Sequence, residues 1–593
     1  MIKKISYFLL QDKKNFIFLF FVIFFTSLLE TFGVFSILPF LAVLSNSSLI
    51  ETNFFLKTLY QSVHVIRITN ETEFIIFLGI LSFLAIIISV IFRIMSIYLI
   101  GRFSFNKETF ISSKLMKNYL YQPYIWFLSQ NSSNIGKTIL NEVNHVVHGC
   151  ITPFLSLISQ LVLTFFLFIT LIFVNPILTL LITLTLSVSY GLIYYFSKNF
   201  LSRIGSKRLK LNERRFFILN EAFNAFKAIK IASLEKRYVK NFEEIANQFA
   251  KTQSVAQIFI FVPRYIIEGI AFGGAILFVI LLINQERQFM DIIPILALYV
   301  FAGYRLIPAL QQIYTASSQL RFAEKSLNIL YEDLNTFSYF NSSLIKTEAL
   351  AFSKYIKLNN IYHRYPNSKA STLINVNMTI LKNDKVGIVG ITGSGKSTLV
   401  DIITGLIDPE KGIVSVDNNP INNNNKRSWQ SNIGYVPQHI YLSDTSIKNN
   451  IAFSADPDKI DFERVKEVAK ISNLHEFVTN ELAENYNTIV GERGVRLSGG
   501  QIQRIGIARA LYHNPKLVIF DEATSSLDNF TEKVIMKAID NLNDKNVTII
   551  HIAHRLDSLK NCNKIYLLSE GKIEEQGSYD ELTKFSEKFN KIK

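Results

Sequence analysis

The chain has 593 residues, which is too long for a single domain. Hydrophobic residues make up 49% of it and charged residues 18%, and the mean hydropathy is +0.25, a profile typical of a membrane protein and not of a soluble enzyme. The net charge of +15 does not indicate nucleic-acid binding, because the basic residues crowd loops beside apolar spans. Cys150 and Cys562 lie far apart and support neither a disulfide framework nor a metal site.

Six apolar spans precede residue 330, and each is long enough, at about 1.5 Å per residue, to cross a hydrocarbon core of about 30 Å. Asn175 and Pro176 separate the third span from the fourth and predict a tight hairpin. Pro263, Pro294 and Pro308 predict breaks or bends in the fifth and sixth spans. Spans two to five are expected to extend as helices into water, because the stretches between them are polar yet keep helical periodicity. The predicted spans are Phe16–Leu44, Phe74–Ile100, Ile151–Val174, Ile177–Phe196, Ile258–Ile283 and Ile292–Tyr314.

Lysine and arginine residues set the predicted orientation. They precede the first span, fill the loop between the second and third, and are densest between the fourth and fifth, so the positive-inside rule places these segments and both termini in the cytoplasm. No small-residue cleavage site follows the first span, which predicts a retained membrane helix and not a signal peptide. In the outer loop Ser45–Thr72, the stretch Ser48–Val65 predicts either a short amphipathic helix on the outer leaflet or a packed surface loop.

Charged residues inside the spans are costly and usually face a cavity or a partner. Arg93, Arg264 and Arg305 lie on spans two, five and six at similar predicted depths, and Glu30 lies in span one. Because the arginine fork suits phosphate oxygens, we interpret the three arginines as a basic collar that receives an anionic lipid headgroup. The alternative is that Arg93 and Arg264 snorkel to the interface, or that Arg264 pairs with Glu268 one turn away.

The composition changes near residue 330. Residues 331–354 are polar and non-periodic, which predicts a linker between two domains. From Tyr355 onward, short β-rich runs alternate with helical patterns, as is typical of an α/β nucleotide-binding domain.

The stretch Gly390–Ser397 reads G-I-T-G-S-G-K-S and matches the phosphate-loop template, with an apolar strand pattern before it and a helix pattern after it. Its glycines let backbone N–H groups point at phosphate oxygens, and the helix N-terminus adds a favourable dipole. Lys396 would add a positive charge, and Ser397 a hydroxyl for Mg²⁺. A glycine turn without a ligand is the alternative interpretation.

Two further motifs fit the same chemistry. The apolar strand Leu517–Phe520 ends in Asp521, which is placed to hold Mg²⁺ through water, and in Glu522, which can polarise a water for attack on the γ-phosphate. Leu497–Gln501 reads L-S-G-G-Q ahead of a helix, and its N–H groups with the Ser498 hydroxyl predict a second anion site. Two such sites in one domain make sense if a second copy of the chain supplies one of them.

Together the motifs G-I-T-G-S-G-K-S, Y-V-P-Q, L-S-G-G-Q, L-V-I-F-D-E, S-S-L-D and I-A-H-R, in this order, resemble an ATP-binding cassette, and the six spans ahead of them resemble an exporter half-transporter of the type IV fold. The resemblance implies an α-helical membrane domain over 1–330, the linker, and an α/β P-loop domain over 355–593. It also implies a homodimer in the bacterial inner membrane that binds ATP and Mg²⁺ at two composite sites. ATP binding would close the two cassettes, and hydrolysis would reset them.

For individual residues, the resemblance implies that Tyr365 stacks on adenine and that Gln438 senses the γ-phosphate and Mg²⁺. It implies that Glu522 is the general base, that His554 contacts the γ-phosphate, and that Asp528 communicates across the dimer. The implied metal residues are Ser397, Gln438 and Asp521. The full set of implied nucleotide-site residues is Tyr365, Gly390, Thr392, Gly393, Ser394, Gly395, Lys396, Ser397, Thr398, Gln438, Ser498, Gly499, Gly500, Gln501, Asp521 and Asp528.

The membrane half resembles the PglK-type flippases for lipid-linked oligosaccharides. The matching pieces are L-E-T-F at Leu29–Phe32, V-P-R-Y-I-I-E-G at Val262–Gly269, Y-R-L-I-P at Tyr304–Pro308 and I-F-R around Arg93. This resemblance implies a polyprenyl-diphosphate-linked oligosaccharide as cargo, with the basic collar as its binding residues.

Three other functions remain open at this point. A lipid A-type glycolipid flippase also takes a phosphorylated lipid. A peptide or toxin exporter is less expected, because many carry an N-terminal cysteine peptidase and no cysteine precedes Cys150. A non-transporting ATPase that regulates a channel belongs to a different class, and the presence of both Glu522 and His554 argues against it.

Overall fold

The computed structural model describes the chain except for residues 46, 64–69, 175, 284–288, 337–349, 367, 454, 523–531, 533–536, 538–546, 554 and 592–593. The side chains of residues 63, 132, 178, 181–182, 271–272, 274–275, 277–283, 289–299, 336 and 493 are also outside the description. Two compact units result. We call them the helical unit, Met1–Gln122 with Ser129–Phe340, and the sheet unit, Pro123–Leu128 with Asn341–Lys593.

Long helices build the helical unit. In chain order the helices are α1 (Ile2–Leu10), α2 (Lys13–Phe35), α3 (Ile37–Ser45), α4 (Leu49–Thr52), α5 (Phe54–Val63), α6 (Glu71–Leu120), α7 (Tyr124–Leu128, in the sheet unit), α8 (Ser132–Lys137), α9 (Val143–Val146), α10 (Thr152–Val174), α11 (Pro176–Asn224), α12 (Phe226–Ile231), α13 (Glu235–Ile283) and α14 (Phe289–Thr336). Wide, π-helical turns over Thr138–Glu142 and Val147–Ile151 flank α9.

The lengths of α6, α11 and α13 confirm the expected extension of spans two, four and five beyond the membrane, and α14, which carries span six, is similarly long. Helices α6, α11, α13 and α14 have 50, 49, 49 and 48 residues. At about 1.5 Å per residue each is about 75 Å long, which exceeds a hydrocarbon core of about 30 Å more than twofold.

Three helical stretches among the described residues are long and apolar enough to cross a membrane. They are Lys13–Ser45, Glu71–Leu120 and Ser133–Val174, and they contain the first three predicted spans. The other three predicted spans each include residues outside the description; they are Ile177–Phe196, Ile258–Ile283 and Ile292–Tyr314.

The helix boundaries refine the sequence-based expectations. Helix α10 ends at Val174 and α11 begins at Pro176, as the predicted hairpin requires. Helix α13 continues through Pro263 and α14 through Pro308, so these prolines do not break their helices. A proline removes one backbone hydrogen bond, and the remaining turns of a long membrane helix hold it together. Helix α14 continues to Thr336, inside the stretch predicted as a linker.

The outer loop is helical from Leu49 to Thr52 and from Phe54 to Val63. Ile50 and Leu56 are buried in one apolar cluster with Phe74 and Leu78 of α6. The described part of Ser48–Val65 is therefore helical, and it packs on the ends of the first two spans that this loop connects.

The sheet unit contains two β-sheets. Its strands are β1 (Tyr355–His363), β2 (Leu373–Leu381), β3 (Lys385–Val389), β4 (Lys411–Val416), β5 (Asn419–Pro420), β6 (Ile433–Val436), β7 (Leu517–Asp521), β8 (Thr548–Ile552), β9 (Lys564–Ser569) and β10 (Lys572–Gly577). A six-stranded sheet has the order β10-β9-β3-β8-β7-β6 and is parallel except for the β9–β10 pair. An antiparallel sheet has the order β2-β1-β4-β5.

Helices and strands alternate in this unit. The helices are α15 (Lys396–Ile403), α16 (Lys426–Gln430), α17 (Ile447–Ile451), α18 (Phe462–Ile471), α19 (His475–Asn480), α20 (Gly499–Leu511), α21 (Tyr579–Phe585) and α22 (Glu587–Lys591). Strand β7 is buried on both faces: Leu517 and Ile519 enter one apolar core, and Val518 and Phe520 the other. This is the pattern of a parallel sheet covered on both sides, and it confirms the predicted α/β class.

In the helical unit, a buried polar cluster joins three elements. Arg208 on α11 donates to Glu142 Oε2 at 2.7 Å, and Ser326 on α14 donates to the same oxygen at 2.8 Å. Asn212 donates to Glu142 Oε1 at 3.0 Å and to Asn141 at 2.7 Å. The side chains of Arg208 and Glu142 are only 4% and 3% exposed. Both charges are therefore almost fully removed from water and depend on each other.

We predict that Arg208→Met strongly destabilises the helical unit, because it leaves the Glu142 carboxylate buried without its cation. Breaking a buried pair in this way costs about 3–5 kcal/mol, and thermal unfolding of the purified protein would show the loss. The matched control is Lys230→Met, which breaks the exposed Lys230–Glu235 pair and should cost at most about 1 kcal/mol. Equal loss in both variants would contradict the importance of the buried pair.

Candidate nucleotide site and intramembrane charges

The topology of the six-stranded sheet brings the sequence motifs to one edge. Strands β3, β8, β7 and β6 are consecutive parallel neighbours. The phosphate loop follows β3, Asp521 ends β7, and Gln438 follows β6. Because the carboxyl ends of parallel strands lie at the same edge, these residues form one site.

The phosphate loop has the backbone that its glycines predict. Gly393 and Gly395 have φ values of +84° and +103°, a region that L side chains rarely adopt. A Cβ on Gly390 would collide with the carbonyl oxygen of Leu568 on β9. Larger residues at these positions would therefore displace the loop from the sheet edge.

Lys396 begins α15 and turns back over the loop. Its Nζ donates to the carbonyl oxygens of Gly390 at 2.8 Å and Ile391 at 3.1 Å. Burial lowers the pKa of Lys396, whereas the charges of Glu522 and Asp521 raise it. The ammonium group thus lies in the loop and is influenced by both acidic residues.

The remaining loop residues differ in accessibility. Thr392, Gly393 and Ser397 are exposed, so the Ser397 hydroxyl is open to a ligand. Ser394 is buried, and its Oγ has no hydrogen-bond partner within the described part of the chain. Thr398 is buried, and its Oγ1 lies 3.1 Å from the Tyr365 hydroxyl. The structure therefore places the predicted adenine-stacking tyrosine at the phosphate loop.

The two acidic residues after β7 have different environments. Asp521 is buried and its Oδ2 accepts a hydrogen bond from the Tyr435 hydroxyl at 2.9 Å. Glu522 has a φ of +51° and accepts a hydrogen bond from Gln438 Nε2 at 2.6 Å. Left-handed backbone at a non-glycine residue is typical of functional sites, where the surrounding structure enforces it. The hydrogen bond between Gln438 and Glu522 is thus formed by the protein alone.

Sequence analysis missed two residues of this site. Burial raises the pKa of Asp401 to about 6, and the nearby charge of Asp521 adds to the effect. Burial also raises the pKa of Tyr435, again with a contribution from Asp521. Both residues could have been found from the sequence near known motifs. Asp401 follows Ser397 by one helical turn, and Tyr435 belongs to the Y-V-P-Q motif on the strand beside β7.

The L-S-G-G-Q motif forms the start of α20. The Ser498 hydroxyl accepts a hydrogen bond from the Gln501 N–H at 3.3 Å, and the Gln501 side chain accepts one from the Ser498 N–H at 2.8 Å. This reciprocal capping box fixes the helix end and leaves Gly499 exposed. Within the described residues, no hydrogen bond joins the motif to the phosphate loop. Two other predicted residues, Asp528 and His554, lie outside those residues.

The intramembrane arginines fall into two groups. Arg93 Nη1 donates to Glu30 Oε2 at 2.9 Å, and Arg305 Nη1 lies 3.6 Å from the same oxygen. Arg264 instead donates to Glu268 at 2.6 Å, one turn along the same helix, as the alternative interpretation anticipated. We call Glu30, Arg93 and Arg305 the charge triad. No described contact joins Arg264 to it, so a collar of three arginines stays a prediction.

Comparisons with known proteins match both halves of the chain. Residues 16–304 match the ABC transporter transmembrane region, and residues 373–525 match the ABC transporter family. The chain therefore carries the membrane domain and the ATP-binding domain of an ABC half-transporter. It is a multi-pass membrane protein with an ATP-binding domain that carries the phosphate loop.

The fold of the chain matches a solved one over nearly its whole length. A bacterial Atm1-family ABC exporter with ATP bound gives a TM-score of 0.76 at 18% identity, over 98% of each chain. The architecture is therefore that of a type IV exporter, a helical membrane domain with a P-loop nucleotide-binding domain, which confirms the predicted fold class.

Sequence relatives match over a shorter stretch. The leukotoxin translocation ATP-binding protein LktB of Mannheimia haemolytica is 45% identical over 228 residues, and a toxin RTX-I translocation ATP-binding protein of Actinobacillus pleuropneumoniae is 44% identical over 227 residues. Each match covers 38% of the chain and 32% of the relative. The chain thus matches about a third of the length of these relatives.

We expect Glu522→Gln to lower ATP hydrolysis by at least about 100-fold, because general-base catalysis contributes about 10²–10⁴-fold. ATP binding should persist, since the phosphate loop is unchanged. Phosphate release and nucleotide binding by the purified exporter measure the two effects. The matched control is Glu574→Gln. Glu574 lies on β10 and pairs with Lys588, and its replacement should leave ATP hydrolysis unchanged. Normal ATP turnover by Glu522→Gln would show that Glu522 is not the general base.

Proposed function

We propose that the chain is one half of a homodimeric, ATP-driven exporter of the bacterial inner membrane, with both termini in the cytoplasm. The observation that carries the ATPase part is the convergence of Lys396, Ser397, Asp521 and Glu522 at one edge of the parallel sheet. This set combines a cation for phosphate oxygens with carboxylates for a metal and a water.

The donor set fits Mg²⁺. The exposed Ser397 hydroxyl and the Asp521 carboxylate offer the hard oxygen ligands that this ion prefers, and Gln438 would add an amide oxygen. When bound, Mg²⁺ would neutralise charge on the phosphate groups. Asp521 already has one oxygen positioned by the Tyr435 hydroxyl, which fixes the orientation of the carboxylate.

Glu522 is the proposed general base. The hydrogen bond from Gln438 orients the Glu522 carboxylate, and the charge of this carboxylate acts on Lys396 of the phosphate loop. From this position Glu522 would accept a proton from a water that attacks the γ-phosphate. His554 would contact the same phosphate group.

A second copy of the chain would complete each site. The capped N-terminus of α20 presents Ser498 and Gly499 to solvent, and helix N-termini bind anions. Binding of ATP between this helix end and the phosphate loop of a partner would explain why one domain carries two phosphate-binding elements. Asp528 is proposed to communicate across the same interface.

For the cargo, we favour an anionic lipid, most specifically a polyprenyl-diphosphate-linked oligosaccharide. Support comes from Arg93 and Arg305, whose side chains are 30% and 21% exposed within predicted membrane spans. A guanidinium has five N–H donors. Among the described residues, Arg93 donates a single hydrogen bond and Arg305 donates none, so both retain donors for phosphate oxygens. A lipid A-type glycolipid would satisfy the same groups.

A second candidate cargo is a secreted polypeptide. The relatives named above are toxin translocation proteins, and this favours polypeptide export. The similarity covers 38% of the chain, whereas cargo selection in an exporter depends on the membrane domain as well. The charge triad lies in that domain and favours the lipid.

We expect purified exporter in proteoliposomes to flip a polyprenyl-diphosphate-linked glycan when ATP is present. In the double variant Arg93→Ala/Arg305→Ala, the number of lipids flipped per ATP hydrolysed should fall by about tenfold or more, because a phosphate group loses two charged donors. Fluorescent-lipid protection and phosphate release measure this ratio.

The control for this experiment is Arg321→Ala, which changes an arginine paired with Glu324 further along α14. It should leave the flipping ratio close to that of the unmodified protein. Transport of an unfolded polypeptide in place of the lipid would establish the second candidate. Flipping of a lipid A-type glycolipid alone would redirect the proposal to that lipid.

A further inference from the structure

The charge triad brings together three helices that are far apart in sequence. Glu30 lies on α2, Arg93 on α6 and Arg305 on α14. One carboxylate oxygen, Oε2 of Glu30, serves both guanidinium groups, at 2.9 Å from Arg93 and 3.6 Å from Arg305. The second distance is longer than a hydrogen bond, so the carboxylate accepts one hydrogen bond from Arg93 and interacts with Arg305 only through its charge.

Exposure differs among the three side chains. Glu30 is 6% exposed, whereas Arg93 and Arg305 are 30% and 21% exposed. The carboxylate therefore lies behind the two guanidiniums, whose other faces remain accessible. The nearby hydroxyls of Ser27 and Thr31 are occupied, because each donates to a backbone carbonyl of its own helix.

The charges of the triad do not cancel. Two guanidiniums and one carboxylate sum to +1. Net charge within a membrane span is costly, and an anionic ligand would lower that cost. The resident carboxylate already occupies part of the arginine surface that such a ligand would use, so ligand and Glu30 compete for the same N–H donors.

We propose that Glu30 is a resident counter-ion that the anionic head of the cargo displaces from Arg93 and Arg305. The inference rests on the proposed lipid cargo and adds a role for a residue that opposes binding. Competition from Glu30 keeps the affinity moderate, so that the head can leave again on the outer side. When the head leaves, Glu30 returns to the arginines and prevents two unpaired cations from facing each other.

A different role for Glu30 must be distinguished from that of a counter-ion. Glu30 could act only as a brace that holds α2, α6 and α14 together. A brace that is removed lets the arginines move apart and weakens ligand binding. A competitor that is removed strengthens ligand binding. The two roles therefore predict opposite signs for the same measurement.

The experiment measures lipid binding to the full-length exporter in nanodiscs, with a polyprenyl diphosphate as the probe and the matching neutral polyprenol as its control. For Glu30→Gln we expect the Kd for the diphosphate to fall about tenfold, which corresponds to about 1.4 kcal/mol. The Kd for the polyprenol should not change. Glu324→Gln, a carboxylate change elsewhere on α14 that is paired with Arg321, should leave both values unchanged.

A second variant keeps the test decisive if Glu30→Gln does not fold. Glu30→Asp retains the charge but shortens the side chain by one methylene, so its carboxylate reaches the arginines less well. We expect a smaller tightening of diphosphate binding in this variant. Unchanged or weaker binding of the diphosphate by a folded Glu30 variant would overturn the counter-ion role. It would support the role of Glu30 as a brace.

Failure of the cargo proposal would look different. In that case the unmodified exporter would bind polyprenyl diphosphate no more tightly than polyprenol, and Arg93→Ala/Arg305→Ala would change neither value. That result would overturn the lipid cargo together with the inference. Tighter binding of the diphosphate by the unmodified protein, with no gain in Glu30→Gln, would overturn only the inference.

Discussion

Parallel pairing of β3, β8, β7 and β6 is the constraint on which the nucleotide site depends. Strands β3, β7 and β8 are buried along their whole length and β6 buries Gly434 and Val436, so a slip in register would disrupt the packing of the sheet. This fixed register sets the phosphate loop, Asp521 and Gln438 at the same sheet edge although they come from distant parts of the chain. The Gln438–Glu522 hydrogen bond is a consequence of this alignment.

Desolvation governs the helical unit in the same way. Charges removed from water must find partners, and the partners come from other helices. Arg208 and Glu142, which lie outside the predicted spans, form a 2.7 Å ion pair that is almost fully buried, and Ser326 and Asn212 donate further hydrogen bonds to the carboxylate. Within the spans, Arg93 and Arg305 share the single carboxylate of Glu30, and the pairing stays incomplete. The Arg208–Glu142 pair is almost fully buried, whereas the two guanidiniums of the charge triad are partly exposed. This difference distinguishes a structural ion pair from a proposed binding site.

Much of the fold and of the nucleotide site could be predicted because the signals are local. Glycines with positive φ, the helix that begins at Lys396 and the capping box at Ser498 each depend on residues within one or two turns. The pair between Arg264 and Glu268 is local as well, and helical spacing was enough to suggest it. Asp401 also had a local signal, its spacing from Ser397, which sequence analysis did not use.

The sequence by itself determined the type of each element, the order of the motifs and the chemistry that each motif can perform. Only the tertiary structure decided which charges meet: that Glu30 lies between Arg93 and Arg305, and that Arg264 does not join them. The physical reason is that hydrophobic periodicity specifies which face of a helix is buried but not which charged residues on three packed helices reach the same depth and orientation.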